Sequence, residues 1–180
     1  RDLPTDKPPL KLETNMYKQP RYEEQSESHF FTDGAAMRTA PEGTVARGFL
    51  NDDPVYFTGK DEKGQLIAKI PVPVTADLLK RGRERYDIYC SPCHSRLGDG
   101  QGMVVKRGMI PPPSFHDGRL RTIQDGHIFD VITHGIRNMP PYRYQIPAAD
   151  RWAIVAYFRA LQRSHHATAN DLTPEERARL

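Results

Sequence analysis

The only two cysteines of this 180-residue chain lie three positions apart, and a histidine follows them at once. They belong to the run Cys90-Ser91-Pro92-Cys93-His94. This C-x-x-C-H spacing is the attachment signature of a c-type haem, in which two thiols add across the vinyl groups and the adjacent imidazole reaches the iron from one face. The sequence therefore predicts one covalently attached haem c, held by Cys90 and Cys93, with His94 as an iron ligand.

Two other kinds of site share the Cys-x-x-Cys pattern, namely redox dithiols and zinc centres. A redox dithiol is expected to have a strand before the motif and a helix after it. Here a helical pattern precedes Cys90, and a glycine-rich loop follows His94. A structural zinc site needs four protein ligands, and the chain has no second cysteine pair. The pattern therefore favours haem attachment.

A low-spin haem iron takes a second axial ligand, which must approach from the opposite face. Position favours Met139, because it lies between two predicted helices, where Pro140 keeps the preceding backbone extended. His/Met ligation raises the haem potential and suits an electron carrier, whereas an open iron suits gas binding or peroxide chemistry. A histidine ligand and an open site remain alternatives. The other candidates are two methionines, Met103 and Met109, which are expected on the proximal loop, and a histidine, His116. His127 and His134 are also candidates, but they are expected inside a helix, where they face solvent or core.

Side chains around these ligands have predicted supporting roles. The free nitrogen of His94 should donate a hydrogen bond to a backbone carbonyl of residues 111–113, which brings Pro112 to the haem. Arg137 and Tyr142 flank Met139 and could pair with the haem propionates. For Arg137 a solvated surface position is equally compatible with the sequence.

Hydrophobic periodicity predicts three helices after residue 75 and a short one near the end. Glycine at position 82 and the aromatic ring of Tyr86 predict a close crossing with residues 152–157. The helix boundaries are marked by capping and breaking residues: Thr75 before the helix that runs into Cys90, Thr122 with Asp125 as a capping box, Gly135 as a stop, Pro147 opening a helix to about Gln162, and Thr173 capping the last.

Residues 1–75 are rich in proline and lack a sustained helical period. They also carry dispersed aromatic residues, which a disordered tail usually lacks. We therefore expect an extended arm that docks on other proteins, with a loose tail as the alternative. Residues 55–58 and 66–70 could pair as a short hairpin.

Composition narrows the classes of protein. The hydrophobic fraction is 37% and the mean hydropathy is −0.69, so the side chains alone supply little core for this length. No apolar run approaches the roughly 20 residues that span a bilayer. The net charge of +3 comes from scattered basic residues without a nucleic-acid-binding motif, which argues against nucleic acid as a partner.

Taken in order, these features resemble a known family. Residues 76–163 resemble a class I cytochrome c domain, an all-α fold around one covalent haem. The whole chain resembles the monohaem cytochrome c subunit of bacterial alternative complex III, a quinol-oxidising membrane assembly. The segments that carry the resemblance are the proline- and tyrosine-rich arm and residues 98–102, 111–115, 125–129 and 135–140.

The resemblance implies a division into an arm over residues 1–75, a haem domain over 76–163 and a tail with a short helix over 164–180. It implies single-electron relay within a respiratory complex, with no catalytic residue in this chain. The implied partners are other subunits, including a multihaem cytochrome, and an acceptor that is a cytochrome c, a cupredoxin or an oxidase. The implied place is the periplasmic side of the inner membrane, anchored by a lipidated cysteine preceding Arg1. A freely diffusing carrier and an open-site peroxidase or sensor are the alternatives.

Overall fold

The computed structural model describes residues 16 and 19–179. These described residues fall into two compact units, the first ending at Leu50 and the second beginning at Asn51. The described part of the first unit consists mainly of turns, with one antiparallel bridge between Glu27 and Ala35. Ser28 is its buried centre, and the Ser28 N–H donates to the carbonyl of Gly34 at 2.8 Å. The predicted arm therefore has local structure from residue 19 onward, and its first 15 residues, with 17 and 18, lie outside the described residues.

The second unit is built from helices. Within the described residues, β pairing is limited to isolated bridges, which confirms the predicted all-α fold. None of the described helices is both long enough and apolar enough to cross a membrane. The helices are α1 (Pro54–Thr58), α2 (Ala76–Tyr89), α3 (Ser91–His94), α4 (Gly118–Thr122), α5 (Asp125–His134), α6 (Ala148–His165) and α7 (Pro174–Arg177), with 3-10 turns at Val105–Arg107 and Ala169–Asp171.

Local capping chemistry sets several of these boundaries as predicted. The Thr75 hydroxyl accepts a hydrogen bond from the backbone N–H of Leu78 at 3.1 Å, which starts α2. Thr173 and Glu176 form a reciprocal capping box at α7. Helix α6 begins directly after Pro147 and continues to His165, beyond the predicted end at Gln162.

The predicted capping box at the start of α5 is wrong. Thr122 closes the short helix α4, and its hydroxyl bonds back to the carbonyl of Arg119 at 3.0 Å. Asp125 does not reach back to a cap either, because its carboxylate accepts from the N–H of Ile70 at 3.0 Å and from Arg159 Nε at 2.6 Å. Long-range partners thus determine the role of this carboxylate.

The predicted hairpin over residues 55–58 and 66–70 is also wrong. Asp53 caps the N–H of Tyr56 at 3.0 Å, Pro54 occupies the first turn, and Gly59 ends the helix with a φ of 71°. These signals turn residues 54–58 into α1 despite their β-forming side chains. Only an isolated bridge between Lys60 and Leu66 remains of the expected pairing.

Residues 51–75 pack on the helical core, so the compact unit begins at Asn51 rather than at the predicted residue 76. The indole N–H of Trp152 donates to the carbonyl of Tyr56 at 2.7 Å, and the N–H of Gly126 donates to the carbonyl of Ile67 at 3.0 Å. Trp152 is fully buried, and its ring stacks on Phe129 at 4.1 Å between centroids. This segment therefore covers an apolar face that the later helices would otherwise leave exposed to water.

The predicted close crossing of α2 and α6 is present. A Cβ on Gly82 would lie 2.0 Å from the carbonyl oxygen of Ala153, so only glycine permits this approach. The Tyr86 and Tyr157 rings fill the space beside the contact, with centroids 5.3 Å apart. Outside the apolar contact, Arg81 binds both carboxylate oxygens of Asp150 at 2.7 and 2.9 Å.

Candidate functional site

A cavity of about 820 Å³ opens within the second unit. Residues from α2 to α6 line it, together with the segments around residues 109–115 and 136–142. Its walls are mostly apolar and aromatic side chains. All seven site residues predicted from the sequence lie on this lining: Cys90, Cys93, His94, Pro112, Arg137, Met139 and Tyr142.

The cysteine–histidine run joins α2 to the short helix α3 at the wall of the cavity. Cys90 ends α2, donating its N–H to the carbonyl of Tyr86 at 2.9 Å, and also precedes α3. The N–H of Cys93 and that of His94 both reach the carbonyl of Cys90, at 3.2 and 2.9 Å. Both thiols are free and half-buried. One helical turn thus presents two thiols and one imidazole to the same cavity.

The glycine-rich loop that follows the motif forms hydrogen bonds with the backbone of the motif. The N–H of Gly102 donates to the carbonyl of Cys93 at 3.0 Å, and the N–H of Gly100 donates to that of His94 at 3.1 Å. A Cβ on Gly102 would lie 2.2 Å from the carbonyl oxygen of Pro92. The loop can therefore close on the motif only because this position lacks a side chain.

His94 is fixed by packing. Its ring lies 4.7 Å from that of Phe115, and burial lowers its pKa to about 4, so the imidazole is neutral at pH 7 and keeps a lone pair for a metal. Nδ1 is buried and has no hydrogen-bond partner among the described residues. The predicted bond to a carbonyl of residues 111–113 is therefore not formed. The Pro112 carbonyl instead faces Gly100, where a Cβ would come within 2.4 Å of it.

The thiol chemistry separates haem attachment from the two alternatives. Burial, with a contribution from Cys93, raises the pKa of Cys90 to about 12. A redox dithiol needs a readily formed thiolate, which this environment disfavours. In the part of the chain that the structure describes, neither cysteine belongs to a cluster of three or more metal-ligating groups. Two thiols, a neutral imidazole and an apolar cavity fit a covalently attached haem better than either alternative.

Met139 reaches the cavity from a tight turn after α5. The N–H of Ile136 donates to the carbonyl of Met139 at 3.0 Å, and the reverse bond measures 2.9 Å. Arg137 occupies the turn with a φ of 51°. Beyond the turn, the N–H of Tyr142 donates to the carbonyl of Ile132 at 3.0 Å. The segment that carries Met139 is thus tied to itself and to α5.

The other candidate ligands divide into two groups. Met103, His116 and His134 do not line the cavity, whereas Met109 and His127 do. The Met109 sulfur lies 3.8 Å from that of Cys93, on the side of the attachment motif. His127 lines the cavity from α5, although its helical position suggested solvent or core.

Three further side chains lie near Met139 and His94, of which Arg137 and Tyr142 were predicted and Phe115 was not. Arg137 is exposed at the cavity, and burial raises the pKa of the half-buried Tyr142. Phe115 was not predicted as a site residue, although it contacts His94 and lies 4.3 Å from Phe158 between ring centroids. The only signal in the sequence was an aromatic residue just after the proline run.

Comparison with known proteins agrees with this geometry. Residues 77–158, a little under half of the chain, match the family described as cytochrome C oxidase, cbb3-type, subunit III. No curated protein matches the chain.

Several solved structures are similar at low identity. They include a reducing HAO-like protein complex of Kuenenia stuttgartiensis, at 19% identity, covering 54% of this chain and 50% of that one, with a TM-score of 0.43. Cytochrome CL of Methylophaga aminisulfidivorans is 17% identical, over 78% of this chain and 83% of that one, with a TM-score of 0.42. Cytochrome cL of Hyphomicrobium denitrificans is 22% identical, over 57% and 58%, with a TM-score of 0.38. This chain thus spans about half the length of the first of these structures, and none of the three likenesses is close enough to carry an argument.

The matched family and the composition of the cavity give one conclusion about this segment. Residues 77–158 form a class I cytochrome c domain, and the domain binds one haem c covalently. Cys90 and Cys93 are the two cysteines of the sequence, and both line the cavity. The matched segment is of the cytochrome c type.

Proposed function

We propose that this protein is the monohaem cytochrome c subunit of a membrane-bound quinol-oxidising complex, alternative complex III, and that it relays single electrons through a His/Met-ligated haem. The observation that carries the proposal is the meeting of Cys90, Cys93, His94 and Met139 at one apolar cavity. When bound there, haem c supplies the one-electron Fe(III)/Fe(II) couple.

The residues of the cavity divide the work of holding that group. Cys90 and Cys93 anchor it covalently, and His94 and Met139 approach from separate segments on α3 and after α5. Phe115 and the apolar lining exclude water, which together with methionine ligation favours a higher potential. Arg137 and Tyr142, which both line the cavity, would pair with the propionates. No step requires a general acid or base from the protein.

Membership of a larger complex is supported by the surface of the first unit. Large apolar side chains are exposed there, including Phe30 at 84%, Tyr22 at 69% and Phe49 at 69%. The Phe30 ring also lies 5.0 Å from that of Phe31, and adjoining apolar side chains at a surface are typical of a contact with another protein. The proposed partners are a multihaem cytochrome as donor and a cytochrome c, cupredoxin or oxidase as acceptor.

The proposal places the protein on the periplasmic side of the bacterial inner membrane, anchored by a lipid on a cysteine preceding Arg1. The reason is chemical, since haem c is attached outside the cytoplasm. The anchor itself rests on the resemblance of the chain to the complex III subunit.

The test is co-purification from detergent-solubilised membranes, using a tagged full-length chain. We expect the wild type to elute in an assembly with a quinol-oxidising multihaem subunit. The double variant Phe30→Ser/Phe49→Ser should elute without that subunit. It should keep its haem spectrum, because both changes lie in the first unit and the haem cavity lies in the second, which we call the haem unit. Tyr144→Ser, which alters an exposed aromatic residue of the second unit, is the matched control and should stay in the assembly.

Elution of the wild type as a monomer of 20.5 kDa would overturn the proposal and make the protein a freely diffusing carrier. Retention of the double variant in the assembly would overturn the docking role of the arm and leave membership of the complex in place.

A further inference from the structure

Three histidines meet at the end of α6, outside the cavity. His165 is the last residue of α6, His166 follows it, and His116 comes from the segment after the proline run. One ring nitrogen from each lies within 4.8 Å of the others. The rings of His116 and His165 stack with centroids 3.9 Å apart, and those of His165 and His166 lie 4.9 Å apart. Two distant parts of the sequence thus bring three imidazoles together.

The tautomer of His116 follows from its hydrogen bond. Nε2 lies 2.8 Å from the carbonyl oxygen of Leu97, and a carbonyl can only accept, so Nε2 carries the proton. Nδ1 therefore holds the free lone pair. Nδ1 is buried and has no hydrogen-bond partner in the described chain. A buried acceptor without a partner is costly, and a bound cation would satisfy it.

His166 shows the same arrangement with the nitrogens exchanged. Nδ1 lies 3.0 Å from the carbonyl oxygen of Gln162, which fixes the proton there and leaves the lone pair on Nε2. Gln162 is itself held, because its amide donates to the carbonyls of Phe115 at 2.6 Å and Leu120 at 3.1 Å. In metal sites, a ligating histidine usually donates its other N–H to a carbonyl in this way.

We propose that His116, His165 and His166 bind one divalent transition-metal ion of the zinc class. Imidazole nitrogens suit Zn²⁺, Cu²⁺ and Ni²⁺, whereas Mg²⁺ and Ca²⁺ require oxygen ligands. Three histidines leave a fourth position for water or an external ligand. Arg121 acts electrostatically on His165 and opposes a cation, so the site should be weaker than a four-ligand structural site.

Zinc alone is the probe, applied to the full-length haem protein without a polyhistidine tag. Equilibrium dialysis followed by elemental analysis gives the ratio of zinc to iron. We expect one Zn²⁺ per iron, unaffected by millimolar Mg²⁺. His116→Gln and His165→Gln should each weaken binding at least tenfold, and the haem spectrum and thermal midpoint report whether each variant is folded. Because His165 is exposed, its variant tests the site even if the His116 variant is unstable.

His134→Gln is the control, since His134 is an exposed histidine on α5 that pairs with Asp130 away from the cluster. Equal loss of binding in the control would indicate diffuse surface binding and overturn the proposal. Unchanged binding in the two cluster variants would overturn it as well. The result does not depend on electron transfer, so it is independent of the function proposed above.

Discussion

His94 and Met139 are held in different ways, although both face the same cavity. Packing against Phe115 fixes the His94 ring, whereas two backbone hydrogen bonds between Ile136 and Met139 fix the turn that carries the thioether. Because those bonds do not involve the side chain, removing the Met139 thioether should leave the turn in place. This makes Met139 a position where ligation can be tested without disturbing the fold.

Met139→Ala should abolish the methionine-to-iron charge-transfer band of the oxidised spectrum. It should also lower the reduction potential, by on the order of 100 mV, because methionine ligation raises it. Optical spectroscopy and a redox titration measure both effects. Met103→Ala is the control, since Met103 is 59% exposed and does not line the cavity. An unchanged spectrum in Met139→Ala would point to another ligand, with Met109 and His127 next to test, or to an open iron.

The residues of the attachment motif that line the cavity could be predicted from the sequence, because their spacing indicates the chemistry. Cys90, Cys93 and His94 are adjacent in the chain, and Met139 was favoured by a local proline and its place between helices. The hydrogen-bond state of His94 Nδ1 could not be foreseen, since it depends on where a loop from residues 111–113 settles in space. The histidine cluster was missed for the same reason, as His116 and His165 are far apart in sequence.

At the scale of elements, the crossing of α2 and α6 is the tightest constraint. We expect Gly82→Ala to destabilise the protein by about 1–3 kcal/mol, because the added methyl group meets the Ala153 carbonyl and the two helices must separate. Thermal or denaturant unfolding of the haem protein measures the change. Gly118→Ala is the matched control, since a Cβ there meets nothing within 4 Å, and it should be neutral or slightly stabilising. Equal effects in the two variants would contradict a close contact at position 82.

Helix starts were predictable where a cap acts within its own turn, as at Thr75 and Thr173. They were not predictable where a polar side chain has a distant partner. Asp125 serves Ile70 and Arg159 rather than a capping box. The strand prediction for residues 55–58 was wrong for another reason. The cap at Asp53 and the proline at position 54 favour a helix and outweigh the strand-forming preference of the side chains.

At the scale of the whole molecule, composition predicts that the haem domain begins at residue 76, whereas the compact unit begins at Asn51. Residues 51–75 share the prolines and polarity of the preceding arm, yet they contribute half-buried apolar side chains to the haem unit. Tyr56, Phe57, Ile67, Ile70 and Val72 all pack against its core. Composition cannot register such contacts, since they depend on which helical face the segment meets.

Two truncations should separate the predicted boundary from the observed one. A fragment of residues 51–180 should keep the haem spectrum and a thermal midpoint within a few degrees of the full chain. A fragment of residues 76–180 should lose more than about 3 kcal/mol of stability, because the apolar side chains of residues 51–75 no longer cover the core. Equal stability of the two fragments would return the boundary to residue 76.

Trp152 is the only tryptophan of the chain, and its indole lies where residues 51–75 meet α6. The protein therefore carries a single intrinsic fluorophore, placed in the same unit as a strongly absorbing porphyrin. We expect energy transfer to the porphyrin to quench emission from the folded state. Release of the indole from the Tyr56 carbonyl should expose it to water and shift the emission to the red. One unlabelled optical signal thus reports both on the docking of this segment and on the distance to the haem.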